Sequence, residues 1–331
     1  MDNNFSNLYC LLPLASLLDT PSTYPPIFNY SKFFLTLFFF QGGVCTGLWV
    51  VAHECGHRAF SDSVFICDVV GFIFHSVLLV PYHSWRISHA KHHRSTGDVD
   101  RDESFIPHKA SKLQKKKGYL PPPEEDQPFA LFFELFRMFA VGWPVYLATH
   151  ITGRDYGKQT NHFVPSSPLF NQKQFFQVVV SDIGIVAVLT LLTVWGYYTS
   201  FLNVVFVYGL PYMVTNFWLL LYTYLHHTDL RLPHYPSDKW NWFQGAMATI
   251  DRDYGVFWNT MHHNIGSTHV LHHLFSKIPH YHAVEATNAI IPVLGEYYQF
   301  TNESIFTSLW RTKKYCRYVD DAPHNQVLWF K

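Results

Sequence analysis

Very apolar stretches alternate with polar, histidine-rich ones along this chain of 331 residues. About 20 predominantly apolar residues in a helix cross the ~30 Å of hydrocarbon in a bilayer. Residues 33–51, 178–198 and 201–225 meet that requirement, although Gln41 and glycines dilute the first. The second and third are separated by almost nothing, which predicts a helical hairpin through the membrane. Residues 64–81 and 129–147 are weaker candidates, because the first carries Asp68 and His75 and the second Glu134 and Arg137. Residues 9–18 are apolar but too short to span. The polar, proline-rich stretch 109–127 predicts a loop without regular structure. No internal repeat is evident.

Composition sharpens this picture. Charged residues make up 15% of the chain and aromatics 18%, whereas soluble domains carry roughly 25% charge. Lys+Arg and Asp+Glu both number 24, so no basic excess points to nucleic acid. Five scattered cysteines without a CxxC pair argue against a disulfide framework and for a reducing, cytosol-facing setting. No basic segment precedes the first apolar run, so no cleavable signal peptide is expected. The 21 histidines require an explanation.

Their spacing supplies one. His53 and His57, in HECGH, lie at i and i+4 and share a helical face at the end of the first good span. His89, His92 and His93 form HAKHH, and His269, His272 and His273 form HVLHH; positions i, i+3 and i+4 converge on one narrow face. Imidazole suits iron, copper, nickel and zinc, and eight such ligands exceed what one ion needs. Two metal ions are therefore predicted. One shared site also requires all three clusters on the same side of the membrane. A crossing at 64–81 would separate the first from the second, so that segment is expected to lie in the interface or re-enter. By the same parity 129–147 is expected to be interfacial. Two readings compete. HECGH literally satisfies HExxH, the zinc-metalloprotease signature with Glu54 as general base, but that leaves both HxxHH clusters unexplained. A metal-binding or transport protein would place polar residues within the spans, and the hairpin has few beyond Asp182 and Asn216.

At these clusters the sequence resembles the eukaryotic membrane fatty-acid desaturases, close to the Δ12 (oleoyl, omega-6) type. The likeness runs through HECGHRAFSDS (53–63), HSVLLVPYHSWRISHAKHHRSTG (75–97), GWPVYL (142–147), SDIGI (181–185) and LPHY (232–235). It continues through ATIDRDYG (248–255), THVLHHLFSKIPHYHAVEATNAI (268–290) and LGEYYQF (294–300), covering roughly residues 40 to 320. The setting of the second box looks fungal or invertebrate rather than plant. The resemblance implies an all-α integral membrane fold in one domain, with spanning helices, interfacial helices and a cytosolic helical cap around a histidine-rich di-iron site. It implies two non-haem irons, dioxygen as co-substrate, electrons from cytochrome b5 and its reductase as separate proteins, and an endoplasmic reticulum location. Carried over residue by residue, the ligands are His53, His57, His89, His92, His93, His269, His272 and His273. A further histidine at the cytosolic end of the last span falls on His227, with His226 the less favoured neighbour. The family's usual tail and first full span have only residues 9–18 ahead of Pro21, which implies an N-terminally incomplete form.

Such an enzyme removes two hydrogens from adjacent unactivated methylenes, which no side-chain acid or base can do, so a metal centre must. Asp98, Asp102, Glu103, Asp251, Asp253 and Glu285 are candidates to orient imidazoles through their second nitrogens, and Glu54 is better placed than these. Introduction of a Δ12 double bond into an oleoyl chain is the expected reaction. Omega-3 desaturases, hydroxylases, acetylenases and conjugases share the boxes, and neither they nor the acyl carrier, phospholipid or CoA, are separated by sequence; HAVEAT after the third box favours Δ12 over omega-3.

Overall fold

A computed structural model describes residues 28–118, 128–321 and 327–331; the short apolar stretch at 9–18 lies outside them. The chain is helical: α1 (Phe28–His57), α2 (Val64–Val77), α3 (Tyr82–Ser95), α4 (Ala110–Lys117), α5 (Pro128–Thr149), α6 (Phe175–Tyr198), α7 (Phe201–Val204), α8 (Leu210–His227), α9 (Trp242–Ala246), α10 (Val256–Met261), α11 (His269–Leu274), α12 (His280–Leu294) and α13 (Ile305–Tyr315). A two-residue parallel pair, β1 (Asp251–Arg252) and β2 (Phe300–Thr301), is the only named sheet among the described residues.

The membrane layer follows from which faces stay apolar without protein cover. Four helices are long and apolar enough to cross: Thr36–His57, Pro128–Thr149, Gln172–Tyr198 and Phe201–His227. On α6 the residues Phe176, Ile183, Val186 and Leu191 are all more than half exposed, which suits lipid and not water. Helix α1 packs along α8 through small residues. A Cβ on Gly42 would stand 2.4 Å from the Val214 Cβ, so only glycine allows this approach. The unit Phe201–His227 carries one π-turn, Val205–Gly209, just ahead of Pro211, whose missing N–H breaks the regular ladder.

Two expectations about the weaker segments need comment. The stretch at 64–81 does not cross as a straight helix: α2 and α3 are bent by 105°. Leu79 at the bend has φ 53 and Pro81 precedes α3, so the chain turns back and lays the second histidine cluster against α1. Within α2, Asp68 is neutralised by a bidentate pair with Arg58 at 2.9 and 3.2 Å. Helix α5 is long enough to span, which its two charges had argued against; the structure answers Glu134 with Lys313 of α13 at 2.9 Å. Near its other end, the Tyr146 hydroxyl donates to the Glu103 carbonyl at 2.8 Å. Those anchor points are about 18 Å apart along the helix. By length and composition α5 thus counts among the four candidate crossings, beyond the two that the hairpin supplies. The loop expected at 109–127 is corrected in part. Residues Ala110–Lys117 form α4, because its lysines, Gln114 and Leu113 are good helix formers and Gly118, at φ 80, closes it.

Candidate metal centre

Helix geometry aims the three boxes. His53 and His57 close α1, His89, His92 and His93 lie on the last two turns of α3, and the third box is nearly the whole of α11. The bend between α2 and α3 brings α3 under α1, leaving His53 Nε2 2.9 Å from His89 Nε2. His89 is 3.1 Å from His93, and His93 is 3.1 Å from His272, again between Nε2 atoms. Ligand atoms of His53, His57, His89, His93 and His272 all lie within 4.8 Å of one another, as do those of His92, His227 and His273. His269 joins the second set, with Nε2 3.1 Å from His227 and 3.2 Å from His273. The nine sequence-nominated histidines thus fall into adjoining groups of five and four.

These separations fit ions. Metal–nitrogen bonds of about 2.1 Å place neighbouring octahedral ligands about 3.0 Å apart. Nitrogens at 2.9–3.2 Å match such edges. The Nε2 of His57 is buried with no hydrogen-bond partner among the described residues, as expected of a donor aimed at a cation. Burial holds His269 down at about 3, and holds His272 and His273 well below the usual imidazole range, so all three are neutral, the form that ligates.

Outer contacts fix the tautomers. Asp102 Oδ1 accepts from His92 Nδ1 at 2.6 Å, which leaves Nε2 for the metal. Asp102 is itself held by the backbone N–H groups of Gly97 and Ser104. Thr96 donates its hydroxyl to the His92 carbonyl at 2.7 Å, so the 3.3 Å contact has His273 Nδ1 donating to it. Sequence reasoning passed over Thr96, although a hydroxyl four residues beyond His92 on the same face was a usable signal. Trp85 stacks on His89 with ring centroids 4.5 Å apart.

Of the other nominated carboxylates, none orients a box imidazole. Asp98 caps its own loop and binds Arg101 and Ser237. Glu103 accepts from His150 at 2.8 Å and from the Tyr156 hydroxyl. Asp251 accepts from the Val270 N–H and the Tyr298 hydroxyl, which supports α11 through its backbone, and burial pushes its carboxyl up to about 7. Asp253 binds Asn259, and Glu285 pairs with His282 at the surface. Glu54 departs most from expectation: both its oxygens are taken by the N–H and Nδ1 of His280, at 2.5 and 2.6 Å. Sitting between two ligands in sequence points it away from both on a helix. His226 is likewise engaged elsewhere, with Nδ1 donating to the Ile250 carbonyl at 2.5 Å.

Beside the histidines lies a cavity of about 340 Å³, within the range of ligand sites. His53, His89, His92, His227 and His269 form one wall, Trp49, Trp85 and Trp143 another, and α5 its outer edge.

Four helices long and apolar enough to cross a bilayer, with two adjoining histidine groups that could hold metal ions beside an apolar cavity, define a membrane protein whose site suits an apolar substrate. The comparison of sequences gives the family. The fatty acid desaturase profile matches residues 30–304, and the chain belongs to that family. It is 45% identical over 307 residues to a Delta(12) fatty acid desaturase of Mortierella isabellina, covering 88% of this chain and 75% of the relative. It is 43% identical over 334 residues to a Delta(12)-oleate desaturase of Trichosanthes kirilowii, covering 100% and 88%. An "Omega-6 fatty acid desaturase, endoplasmic reticulum" of Brassica juncea is 46% identical over 294 residues, covering 88% and 75%. Fungal and plant relatives match at one level, so overall identity does not select the fungal side suggested by the second box.

Proposed function

We propose that the protein introduces a Δ12 double bond into an oleoyl chain to give linoleoyl, using dioxygen and two electrons delivered by cytochrome b5 and its reductase. The observation that carries this reading is the cavity. An apolar space ends on both histidine groups at once, so a methylene pair lying in it would sit beside the side chains that would hold the metals. His53, His57, His89, His93 and His272 would hold one iron, and His92, His227, His269 and His273 the other. When bound, the irons supply the oxidising power that unactivated C–H bonds require. The protein supplies the rest. Asp102 and Thr96 lock His92 and His273 with Nε2 toward the site. Trp49 stands at ring-centroid distances of 5.1 Å from Trp85 and 6.4 Å from Trp143, a rigid wall that keeps water from the acyl chain. The balance is two hydrogens from the chain, two electrons and two protons, with dioxygen leaving as two waters. The named relatives and the shared side of the three boxes support a reticulum membrane with the site toward the cytosol. The protease alternative loses its base, since His280 occupies both Glu54 oxygens.

Expression in a yeast that makes oleate but no polyunsaturates tests the assignment. Gas chromatography of its lipids should show linoleate. A hydroxylated, acetylenic or omega-3 product instead would move the chain to another activity of the family.

A further inference from the structure

The five-histidine group is reached by two cavities. The large apolar one touches His53 and His89 of that group, whereas His57 and His272 line a second, small one, with His53 shared between the two. The small cavity measures about 20 Å³ against 340 Å³, room for one water-sized molecule and none for an acyl chain. Its inner lining includes His57, whose buried Nε2 has no hydrogen-bond partner among the described residues. Its outer lining includes Phe275, 50% exposed, and His280, whose side chain is 30% exposed. One wall is polar and fixed: Glu54 accepts from both the N–H and Nδ1 of His280, and the His263 ring lies 4.4 Å from that of His280 between centroids. Another wall is apolar, from Ile278 just ahead of α12 and Ala283 in its first turn.

Resting on the desaturase reading, we infer that this small cavity is the port by which dioxygen reaches the five-histidine group, and product water leaves it, while an acyl chain fills the large cavity. The reaction needs a long chain and a diatomic molecule at the histidines together. A chain seated in the large cavity closes that route to everything else and leaves the small one untouched. The two walls match the two passengers, since Ile278 and Ala283 offer dioxygen an apolar surface and the Glu54–His280–His263 side offers water polar partners. The chain can therefore bind first without sealing the site.

The test uses the full-length, iron-loaded and reduced protein in detergent micelles, with nitric oxide as a diatomic probe that binds ferrous iron without turnover. Stopped-flow absorbance reads its association rate with the large cavity empty or saturated by brominated oleoyl lipid, occupancy being read from quenching of the cavity tryptophans. In wild type, filling the large cavity should leave the rate nearly unchanged; a rate that collapses on filling means a single entrance and overturns the port. Ala283→Leu puts three more carbons where one water's volume is free, so with the chain bound it should slow association about 10-fold, ~1.4 kcal/mol in the barrier. With the large cavity empty its rate should match wild type. Equal rates in the two proteins with the chain bound, or the same slowing in both states, overturn the port. Ser276→Cys, folded first and then capped with a bulky thiol reagent, plugs the mouth without burdening folding and should reproduce the chain-dependent slowing, with reagent-treated wild type as control; its failure to do so overturns the port as well. In turnover the KM for dioxygen should rise by a similar factor in Ala283→Leu while the KM for the acyl chain stays constant. A wild type that makes no linoleate, yet whose nitric oxide entry still depends on the plug, sinks the desaturase reading and leaves the port standing.

Discussion

Replacing Asp102 with Asn separates the two metal groups. The carboxylate serves three donors: Oδ1 accepts from His92 Nδ1 at 2.6 Å and from the Ser104 N–H, and Oδ2 from the Gly97 N–H at 3.1 Å. His92 and Asp102 side chains are only 3% and 5% exposed, so water cannot stand in for the lost partner. An amide has one acceptor oxygen and one donor nitrogen. If its oxygen serves His92, its nitrogen faces the Gly97 N–H; turned round, His92 loses its acceptor and its preferred tautomer. Loss of such a carboxylate–histidine contact typically costs 10–100-fold in metal affinity, about 1.4–2.7 kcal/mol. The loss falls on the group of His92, His227, His269 and His273, because Asp102 touches no histidine of the other. Mass-spectrometric metal analysis after dialysis against graded chelator should show iron falling from about two per chain toward one, with a midpoint at 10–100-fold less chelator than wild type. Glu103→Gln is the control: equally buried and adjacent in sequence, it binds His150 and no box histidine. Asp102→Asn that keeps both irons, or sheds both together, or behaves like Glu103→Gln, refutes the reasoning.

Three further outcomes follow from the same geometry. His227→Ala should abolish product and remove about one iron, whereas His226→Ala should keep both irons and lower stability by about 1–3 kcal/mol in thermal unfolding, since it loses the Ile250 carbonyl contact; the reverse pattern would put the wrong face of α8 on the metal. Glu54→Gln should retain about two irons while loosening α12 from α1, read as faster amide exchange over His280–Leu294; about one zinc per wild-type chain, with a peptidase activity that this change destroys, would replace the oxidoreductase by the protease. Glycosylation tags near residue 115 and after residue 300 should both remain unmodified, and a sugar at either would break the shared-side placement of the boxes.

How far the sequence could be read depended on the range of the interaction. Ligand spacing is a local property: once a stretch is helical, i, i+3 and i+4 share a face, so HAKHH and HVLHH declared their chemistry without any tertiary knowledge. Lipid-facing apolarity is likewise written in each segment separately. What crosses between segments was only nominated. Among Asp98, Asp102 and Glu103, three carboxylates within six residues, spacing gave no reason to choose. The turn after Thr96 makes the choice, because Gly97, at φ 73, swings the chain back so that Asp102 reaches His92 while Asp98 faces Ser237. Glu54 shows the converse error: neighbours in sequence on a helix are about 100° apart, so a residue flanked by ligands is turned from the metal by the same geometry that aims them. His226 and His227 differ by that one step, and what separates them is the Ile250 carbonyl, a partner 24 residues away. The sharp return between α2 and α3 was foreseen only through parity, a global constraint, and its local cause at Leu79 had no residue signature, since leucine seldom takes a positive φ.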